Sequence, residues 1–538
     1  MNAEKRDPKI FDPGDPAYRW ILWKRLNSST GGFNFFFWRR IYLVSSAALL
    51  AAWLLATAGI WANAKYRHGY PDVRYIDLAA PWQWGRYRAT IGAHYLDLGR
   101  AELEAGNPYS AYYNFRGALA MMPDSLECRR LVGLAQARIG MRAEALSILR
   151  EGVAQAAKAG DEAYLRLYFD TAFDLQADDD ARTAGQGLLP SPPDGLRIHL
   201  FLALETATAL YNLSRYGEAE QLLSVWGLQD EPDAEILFAR CESARGSRAY
   251  AIQRLEADLA RFSQKDGILA ALEGIAAERG LPQEVRRYAL LRRENSPLLP
   301  AARLDLLYAD RALGRASDVQ SEIDSYCSDF KADAGALRGL ARFAADAGQP
   351  ETAQRALDAA RSAGLPTADF DLALAQASLA SHDYPRVFQA VALAQASGES
   401  MSPATAAALA GAKAVALLGD NAFGADSAFA DFSSTSGALR PDAGLFLVGQ
   451  LLQYGFPIQS RKLLERICAD NPGDEPALAE LVRTEATLAD RSGLDANLPV
   501  LLKMRKPPRD ALSAALPWLD PKDDATLRAE VVYALTKG

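Results

Sequence analysis

The sequence predicts an all-α protein in which a long solenoid of paired helices follows a single N-terminal transmembrane helix. Three observations support this prediction. The chain is rich in Ala and Leu and poor in long β-branched runs, a composition that favours helix. Glycines recur at a step of 34 residues, which is typical of a repeated helical hairpin. A run of 22 residues near the N-terminus carries no charge, as a membrane span requires.

Length and charge narrow the classes of function. A chain of 538 residues exceeds one ordinary compact core, so it forms either about three globular domains or an elongated array. Residues 1–67 hold ten Lys/Arg and four Asp/Glu, a net charge of +6, whereas the remainder holds 49 and 63, a net charge of −14. Nucleic-acid binding needs a basic face, so no nucleic-acid partner is expected for this acidic body.

Residues 41–62 form the predicted transmembrane helix. As a helix this uncharged run would be roughly 33 Å long, close to the thickness of the hydrocarbon core of a bilayer. Basic residues precede and follow it, and aromatic residues lie near both ends, where side chains meet the membrane interface. The residues predicted to anchor the chain in the membrane are Arg39, Arg40, Tyr42, Trp53 and Trp61.

A cleaved signal peptide is the main alternative to a retained anchor. Ala62, Asn63 and Ala64 form a small-x-small sequence that a signal peptidase could recognise. However, about forty residues precede the run, and the run is longer than the apolar core of a signal peptide. It also lacks the polar face of a buried soluble helix, so a retained single-pass anchor is preferred.

The basic, aromatic-rich tail of residues 1–40 decides the predicted orientation. It holds eight Lys/Arg, whereas the stretches next to the span differ only by four basic residues before it against three after it. We therefore expect an inner (cytoplasmic) membrane protein with a cytoplasmic N-terminus and a periplasmic or otherwise extracytoplasmic body. Within the tail, residues 18–26 are either a short helix on the membrane surface or a disordered juxtamembrane stretch.

The body of the chain is a repeat. The segments from His94 and from Arg130 align without a gap at an offset of 34 residues, with Gly99 matching Gly133, and four later turn glycines share this step. His382 occupies the next position, and Gly419 and Gly455 are expected to continue the series with longer spacings. Glycine at a turn permits the positive φ that ends a helix, and a following Ala lets two helices approach closely. The residues predicted to build this packing are Gly99, Gly106, Ala111, Phe115, Pro123, Gly133, Gly140, Ala145, Gly246, Gly280, Gly314, Gly348 and Ala353.

On these residues the array resembles tetratricopeptide (TPR) repeats. The first repeat has Leu98 and Gly99 in its first helix, followed by Ala111, Phe115 and the terminal Pro123. Ankyrin repeats have a period of 33 residues and would show T-P-L-H at each turn, which this chain lacks. The paired Lys and Asn of the carboxylate-binding TPR clamp are also absent, so that mode of binding is not expected.

The resemblance extends over residues 89–506 and implies a right-handed superhelical solenoid of about 11–12 hairpins. It weakens over residues 160–212, where QADDDARTAG and LLPSPPDG indicate an irregular or inserted loop. Residues 63–88 are expected to form a linker that caps the first repeat or rests at the membrane surface. Residues 507–538 are expected to form short capping helices.

Motifs for catalysis or metal binding do not occur in the sequence. The four histidines lie apart from one another and from the four cysteines, and there is no HExxH, CxxC, GxSxG or P-loop. Asp178, Asp179 and Asp180 are interpreted as a solvated loop, with a cation site as the less favoured alternative. The sequence therefore predicts no catalytic, cofactor-binding or metal-binding residues, no cofactor, no small-molecule substrate and no enzymatic activity.

The resemblance to TPR repeats implies that the array binds other proteins, which are expected to be membrane-associated. One helix in the lipid would concentrate that surface at the bilayer. The sequence thus favours a scaffold that helps to assemble or organise an envelope protein complex, similar to the TPR subunits of bacterial envelope machines. Two alternatives stay open: a permanent structural subunit of a large membrane complex and a regulatory adaptor that faces the cytoplasm.

Overall fold

The computed structural model describes residues 24–28, 31–35, 38–70, 72–105, 107–397, 401–435 and 439–537. The chain divides into two compact units, Met1–Ala156 and Ala157–Gly538. Gly106, which the sequence analysis places at a turn, lies outside the described residues, as does most of the basic tail.

A small β-hairpin precedes the helices of the first unit. Strands β1 (Lys24–Ser28) and β2 (Gly31–Phe35) pair antiparallel, with Lys24 opposite Phe35. This hairpin departs from the all-α prediction, since the two stretches pair along their length, from Lys24 opposite Phe35 to Ser28 opposite Gly31. Residues 24–26, expected in a surface helix or a disordered stretch, belong to β1.

Helix α1 (Trp38–Ala62) carries the uncharged run. Its large apolar side chains are mostly exposed, with Leu43, Leu49 and Leu55 each more than 70% accessible (71%, 72% and 75%). Among the described residues, one helical stretch, Tyr42–Arg67, is long and apolar enough to cross a membrane.

The remainder of the first unit is helical. A π-helical turn (Asn63–Arg67) extends α1, and a 3-10 turn (Pro81–Gln83) separates the next two helices. Pro108 opens α4, where a missing N–H costs no hydrogen bond, and Ser125 caps α5 by accepting from the backbone N–H of Cys128. The helices are α2 (Tyr75–Ala79), α3 (Trp84–Glu104), α4 (Pro108–Met121), α5 (Leu126–Arg138) and α6 (Arg142–Ala159).

Twenty helices form ten consecutive pairs in the described part of the second unit, and two helices follow them. The first five pairs are α7 (Glu162–Asp174) with α8 (Asp178–Leu188), α9 (Arg197–Asn212) with α10 (Tyr216–Val225), α11 (Pro232–Ala244) with α12 (Arg248–Arg261), α13 (Asp266–Glu278) with α14 (Pro282–Asn295), and α15 (Pro300–Ala312) with α16 (Ala316–Asp329). The next five are α17 (Ala334–Ala347) with α18 (Pro350–Ser362), α19 (Ala368–Ala380) with α20 (Tyr384–Ala396), α21 (Pro403–Gly419) with α22 (Ala425–Thr435), α23 (Pro441–Gln453) with α24 (Pro457–Asp470), and α25 (Glu475–Leu488) with α26 (Arg491–Leu501). The final helices are α27 (Arg509–Ala515) and α28 (Ala525–Lys537).

The stretch expected to be irregular near residues 160–212 is mostly regular. QADDDARTAG contributes the start of α8, because Asp residues in a first turn stabilise a helix N-terminus. Only LLPSPPDG, between α8 and α9, is non-helical for most of its length. The prediction overestimated the irregularity, because it treated a run of three Asp as a loop signal rather than a helix start.

Glycine in the first helix of a pair makes room for a large side chain of the second. A Cβ at Gly99 would collide with the ring of Phe115, and one at Gly133 would lie 2.8 Å from Cγ of Leu149. Both contacts join residues 16 positions apart, so the repeat step of the sequence corresponds to a repeated packing contact. The five small residues after the turns and the five larger ones a turn later are all fully buried: Ala111, Ala145, Ala219, Ala251, Ala353, Phe115, Leu149, Leu223, Leu255 and Leu357.

The turns between paired helices adopt the left-handed conformation. Gly314 has a φ of 70°, and His382, which replaces glycine at the next-but-one step, has a φ of 60°. Gly455 follows the same pattern at 81°, but Gly419 does not: it ends α21, and the positive φ falls on Asn421. Gly419 is instead small for a packing reason, since a Cβ there would lie 2.7 Å from the hydroxyl oxygen of Tyr384.

The turn between α15 and α16 provides a test of this backbone requirement. Gly314→Ala is expected to lower the free energy of opening of these helices by about 1 kcal/mol, because alanine is strained at positive φ. Hydrogen exchange of the full-length protein, read by mass spectrometry, measures the effect locally, since each pair depends mainly on its neighbours.

Gly274→Ala is the matched control. Gly274 lies inside α13 with open space around its Cα, and its backbone is helical. Alanine there is expected to increase protection by roughly 0.5–1 kcal/mol, because it restricts the unfolded chain more than glycine does. Equal effects of the two substitutions would contradict the role given to the turn.

Candidate protein-interaction surface

The first helices of successive pairs form the inner layer of the second unit. They pack against one another from α7 to α13 and again from α15 to α23, whereas neighbouring second helices such as α16 and α18 are in weaker contact. Contact is also weaker from α13 to α15 and from α23 to α25. Helices on the inside of a curved array lie closer together than those on the outside. We call the face of the first helices from α7 to α25 the inner surface.

Contacts that skip whole pairs show that this surface curves tightly. Arg342 on α17 donates from Nη1 to Oδ2 of Asp442 on α23 at 3.2 Å. The hydroxyl of Tyr454, at the end of α23, donates to the backbone oxygen of Leu379 on α19 at 2.6 Å. The ring of Tyr454 also lies 5.1 Å from that of His382, so the turn histidine has a packing role besides its backbone conformation.

An acidic cluster lies where the inner surface begins. Burial, together with the negative charges of Asp170 on α7 and Asp233 on α11, raises the pKa of Glu205 on α9 to about 7, and Arg166 partly offsets this. Burial likewise raises the pKa of Asp170. A cation from a partner would favour the ionised form of Glu205, so this part of the surface suits a basic side chain.

Arg505 joins the C-terminal end of the array to its beginning. Its Nε and Nη2 atoms donate to the two carboxylate oxygens of Asp178, each at 2.6 Å, across 327 sequence positions. Nη2 also donates to the backbone oxygen of Phe173 at 2.7 Å, and the backbone N–H of Arg505 donates to Oε1 of Gln176 at 3.2 Å. Asn212 adds a hydrogen bond to the Asp178 carboxylate at 2.8 Å, and the aspartate side chain is buried.

Neighbouring residues extend this junction. Nε2 of Gln176 donates to Oε2 of Glu475 at 3.2 Å. The ammonium of Lys506 lies 3.5 Å from Oε1 of Glu278 and 5.8 Å from the ring centroid of Tyr211. The second unit is therefore closed end to end, because one loop near its C-terminus contacts α7, α9 and α13. We call the following set of residues the clasp: Gln176, Asp178, Glu475, Arg505 and Lys506.

A pocket of about 340 Å³ lies beside the clasp. Its wall is mainly apolar, and its polar rim is an ion-paired group in which Arg483 contacts both Glu480 and Asp510. Apolar walls with a few oriented charges suit one side chain of a bound protein. The pocket is lined by Leu445, Gly449, Glu475, Ala479, Arg483 and Pro508, among others.

The interpretation of Asp178, Asp179 and Asp180 as a solvated loop is wrong for the loop, since all three begin α8, and for Asp178, which is buried, whereas Asp179 and Asp180 are exposed. Asp178 is 3% exposed at the start of α8, and its carboxylate accepts from Arg505, a cation of the protein itself. Asp179 pairs with Arg182 one turn later at 2.8 Å. The sequence signal for the clasp is the basic run KMRKPP at residues 503–508, but a charged run does not specify which distant carboxylate it meets.

The residues predicted from the sequence lie away from the clasp. Arg39 and Arg40 lie in the first turn of α1, and Tyr42 is 66% exposed on the same helix. Trp53 and Trp61 hydrogen-bond with residues that follow the span. The described packing residues occupy hairpin interiors and turns, apart from Pro123, which is exposed just after α4.

The cysteines do not converge with other potential ligands. Cys128 and Cys241 are buried, Cys327 and Cys468 are half-buried, and all four are free. Burial raises the pKa of each thiol and so disfavours the reactive thiolate. Within the described ranges, no group of three or more His, Cys, Asp or Glu side chains could hold a metal ion.

Comparison with known proteins gives no family match. No protein-family model matches the chain, and no curated protein matches it. Among solved structures, the chain is similar to Naa15/Naa10 bound to HypK-THB at 13% identity, over 90% of this chain and 70% of that chain, with a TM-score of 0.26. It is also similar to the APC/C hetero-tetramer Cut9-Hcn1 (11% identity, 83% and 96% covered, TM-score 0.23) and to yeast Tom70 (12% identity, 83% and 95% covered, TM-score 0.32).

At such low TM-scores these likenesses carry no argument about the fold or the function of this chain. The paired helices, the left-handed turns and the 34-residue step are observed in the chain itself. Together they make it a solenoid of repeated helical pairs, as the resemblance to TPR repeats implies.

The clasp can be tested by removing its central cation. Arg505→Ala would leave the buried Asp178 carboxylate without its ion-pair partner, a loss on the order of 3 kcal/mol for a buried pair. Hydrogen exchange of the full-length protein is expected to show faster exchange in the turn between α7 and α8 and in residues 503–508.

The neighbouring Lys503 provides the control. It is an exposed cation of the same loop, so Lys503→Ala removes one positive charge without touching the Asp178 carboxylate. We expect its exchange pattern to match that of the unmodified protein. Unchanged exchange in the Arg505 variant would show that the two ends of the unit do not depend on this pair.

Proposed function

We propose that the chain is a membrane-anchored scaffold that binds protein partners and helps to assemble or organise a protein complex of the cell envelope. The proposal rests on the combination of an apolar helix and a helical array in one chain. An exposed apolar helix long enough to cross a membrane precedes an array of helical pairs that offers a long inner surface. An anchor of this kind raises the effective concentration of such a surface for partners at the same membrane.

The chemistry of the inner surface supports a protein segment as the occupant. The acidic cluster around Glu205 suits a basic side chain, and the pocket beside the clasp suits an apolar one. A helix or an extended peptide presents both kinds of side chain at intervals that match successive helical pairs. Because the clasp joins the two ends, such a segment binds either within the closed array or after the clasp opens.

A permanent structural subunit is the second candidate, and exposed aromatic residues on outward-facing elements favour it. Tyr109 and Tyr113 on α4 are 61% and 67% exposed, and Tyr250 on α12 is 58% exposed. Phe423, in the turn between α21 and α22, is fully exposed. Large apolar side chains at the outer surface are typical of permanent contacts with other subunits.

The proposed orientation places the N-terminus in the cytoplasm and the solenoid outside it, at the inner membrane. It is supported by the eight Lys/Arg of residues 1–40, since basic segments are retained on the cytoplasmic side. In the alternative of a regulatory adaptor, the solenoid would instead lie on the cytoplasmic side of the membrane.

Purification of the full-length protein in mild detergent at rising salt concentration distinguishes the two candidates. A reversible scaffold is expected to lose its partners as the salt rises, because attraction to an acidic surface is screened. Glu205→Gln should weaken this capture, whereas Glu294→Gln, on the second helix α14, should leave it unchanged. A stoichiometric assembly that survives high salt would instead identify a permanent subunit.

Orientation can be tested with a reporter fused after Gly538. An enzyme that folds only outside the cytoplasm is expected to be active in this fusion, because the proposal places the solenoid there. A second fusion, with the reporter joined before residue 38, is expected to be inactive. Activity only in the second fusion, with both proteins present in the membrane, would reverse the proposed orientation.

A further inference from the structure

Residues 72–84 pack along the C-terminal part of α1. The indole N–H of Trp53 donates to the backbone oxygen of Ala79 at 2.9 Å. In the opposite direction, the hydroxyl of Tyr75 donates to the backbone oxygen of Leu54 at 2.9 Å. The 72–84 segment is therefore fixed to the helix by hydrogen bonds from both partners.

The same contact continues towards the end of the helix. The indole N–H of Trp61 donates to the backbone oxygen of Val73 at 3.1 Å. Thr57, on the covered face between the two tryptophans, is 3% exposed, and its hydroxyl donates to the backbone oxygen of Trp53 at 2.9 Å. One face of the helix is thus closed by protein from residue 53 to residue 61, while Leu55 remains 75% exposed on another face.

The position of these contacts along α1 determines their depth in a membrane. Arg40 limits the apolar run at its N-terminal end, and crossing a hydrocarbon core takes about 20 residues, so the core extends to about residue 60. Trp53 lies nine residues before Ala62, the end of the helix, which corresponds to about 14 Å. If α1 crosses the bilayer, the 72–84 segment cannot lie wholly in water.

The backbone carbonyl groups of the segment have hydrogen-bond donors where the chain turns. Helix α2 has five residues, so the carbonyl groups at its end lack partners within the helix. Tryptophans supply them: Trp84 donates to the oxygen of Leu78 at 3.1 Å, and Trp53 donates to that of Ala79. Pro81, at the break that follows, has no N–H to satisfy. Backbone groups paired in this way are required where lipid replaces water.

The exposed apolar side chains of the segment suit a lipid leaflet, while its exposed charges, Asp72 and Arg74, lie on either side of Val73, near the end of α1. Trp82 is 83% exposed and Ile76 is 49% exposed, although both are apolar. The carboxylate of Asp77 is buried: it caps α2 by accepting from the backbone N–H of Arg74 at 3.1 Å and lies 3.7 Å from the guanidinium of Arg86. Aromatic residues with shielded charges are typical of the membrane interface.

We propose that residues 72–84 are inserted into the lipid leaflet around the C-terminal part of α1, with Trp82 in contact with phospholipid. This inference rests on the proposed membrane anchor. It adds a second lipid-binding element that completes the anchor on one side of the membrane.

Insertion would fix the first helical pair at the membrane surface. Trp84 contacts Trp53 of the span, with ring centroids 5.9 Å apart, and is also the first residue of α3. Helix α3 continues without interruption to Glu104 as the first helix of the pair with α4. The pair would therefore leave the bilayer through a continuous helix rather than through a flexible spacer.

Site-specific photocrosslinking of the full-length protein in phospholipid vesicles tests the proposal. The photoreactive residue p-benzoylphenylalanine is placed by Trp82→p-benzoylphenylalanine, with the same substitution at Ile76 as an independent second position. Leu55, exposed on α1, reports the anchor itself, and Phe423, exposed in a turn of the second unit, reports the background. The vesicles contain an alkyne-tagged phosphatidylcholine, so that lipid adducts can be labelled and counted.

We expect lipid adducts at Trp82 in a yield similar to that at Leu55 and well above that at Phe423. Adducts at Leu55 with neither Trp82 nor Ile76 above background would overturn this inference and leave the anchor intact. Adducts of Trp82 and Ile76 to protein instead of lipid would also overturn it, by identifying a protein contact. If the yield of lipid adducts at Leu55, Trp82 and Ile76 were all no higher than at Phe423, both the anchor and the inserted segment would be refuted.

Discussion

Every helical pair in this chain depends on its neighbours to cover an apolar face that it cannot bury alone. The contact of Gly99 with Phe115, and of Gly133 with Leu149, brings the two helices of a pair close together. The next pair then closes the apolar side. A left-handed turn such as that at Gly314 reverses the chain within a few residues, so the two helices of a pair lie side by side. The small residues, the large residues and the turn residues of each pair therefore meet one requirement: two helices must lie close together and be covered by the next pair.

A stacked array of this kind has two open ends, and the clasp joins them in the second unit. The guanidinium of Arg505 uses its fork geometry on the Asp178 carboxylate and on a carbonyl of α7. Asp178 also lies at the start of α8, where the helix dipole favours a negative charge. Both charges lose hydration in this contact, so removing either partner would leave a poorly hydrated charge behind. The two ends of the unit are therefore coupled through the clasp, with the Arg505–Asp178 pair at its centre.

The parts predicted from the sequence are those set by local patterns. Residue spacing within one repeat is enough to indicate the helices and the turns, and an uncharged run of 22 residues indicates the apolar span. The local errors arose where one residue type is compatible with two structures. A run of three Asp, expected in a loop, starts α8. Gly419, expected at a turn, packs against Tyr384 while Asn421 makes the turn. The clasp could not be predicted, because its partners are 327 positions apart and nothing near Arg505 specifies Asp178. The acidic cluster on the inner surface likewise depends on side chains from three helices.

Hydropathy identifies helix α1 but does not reveal the contacts that its tryptophans make. Apolar composition identifies α1, but it treats Trp53 and Trp61 as aromatic residues of a lipid-facing helix. In the structure their N–H groups face the protein and satisfy carbonyl oxygens of residues 73 and 79. In the proposed membrane, such an indole would pair a backbone carbonyl that lipid cannot hydrogen-bond. The two tryptophans therefore couple α1 to the chain that follows it, and if α1 crosses a bilayer as proposed, its depth sets the position of the first helical pair.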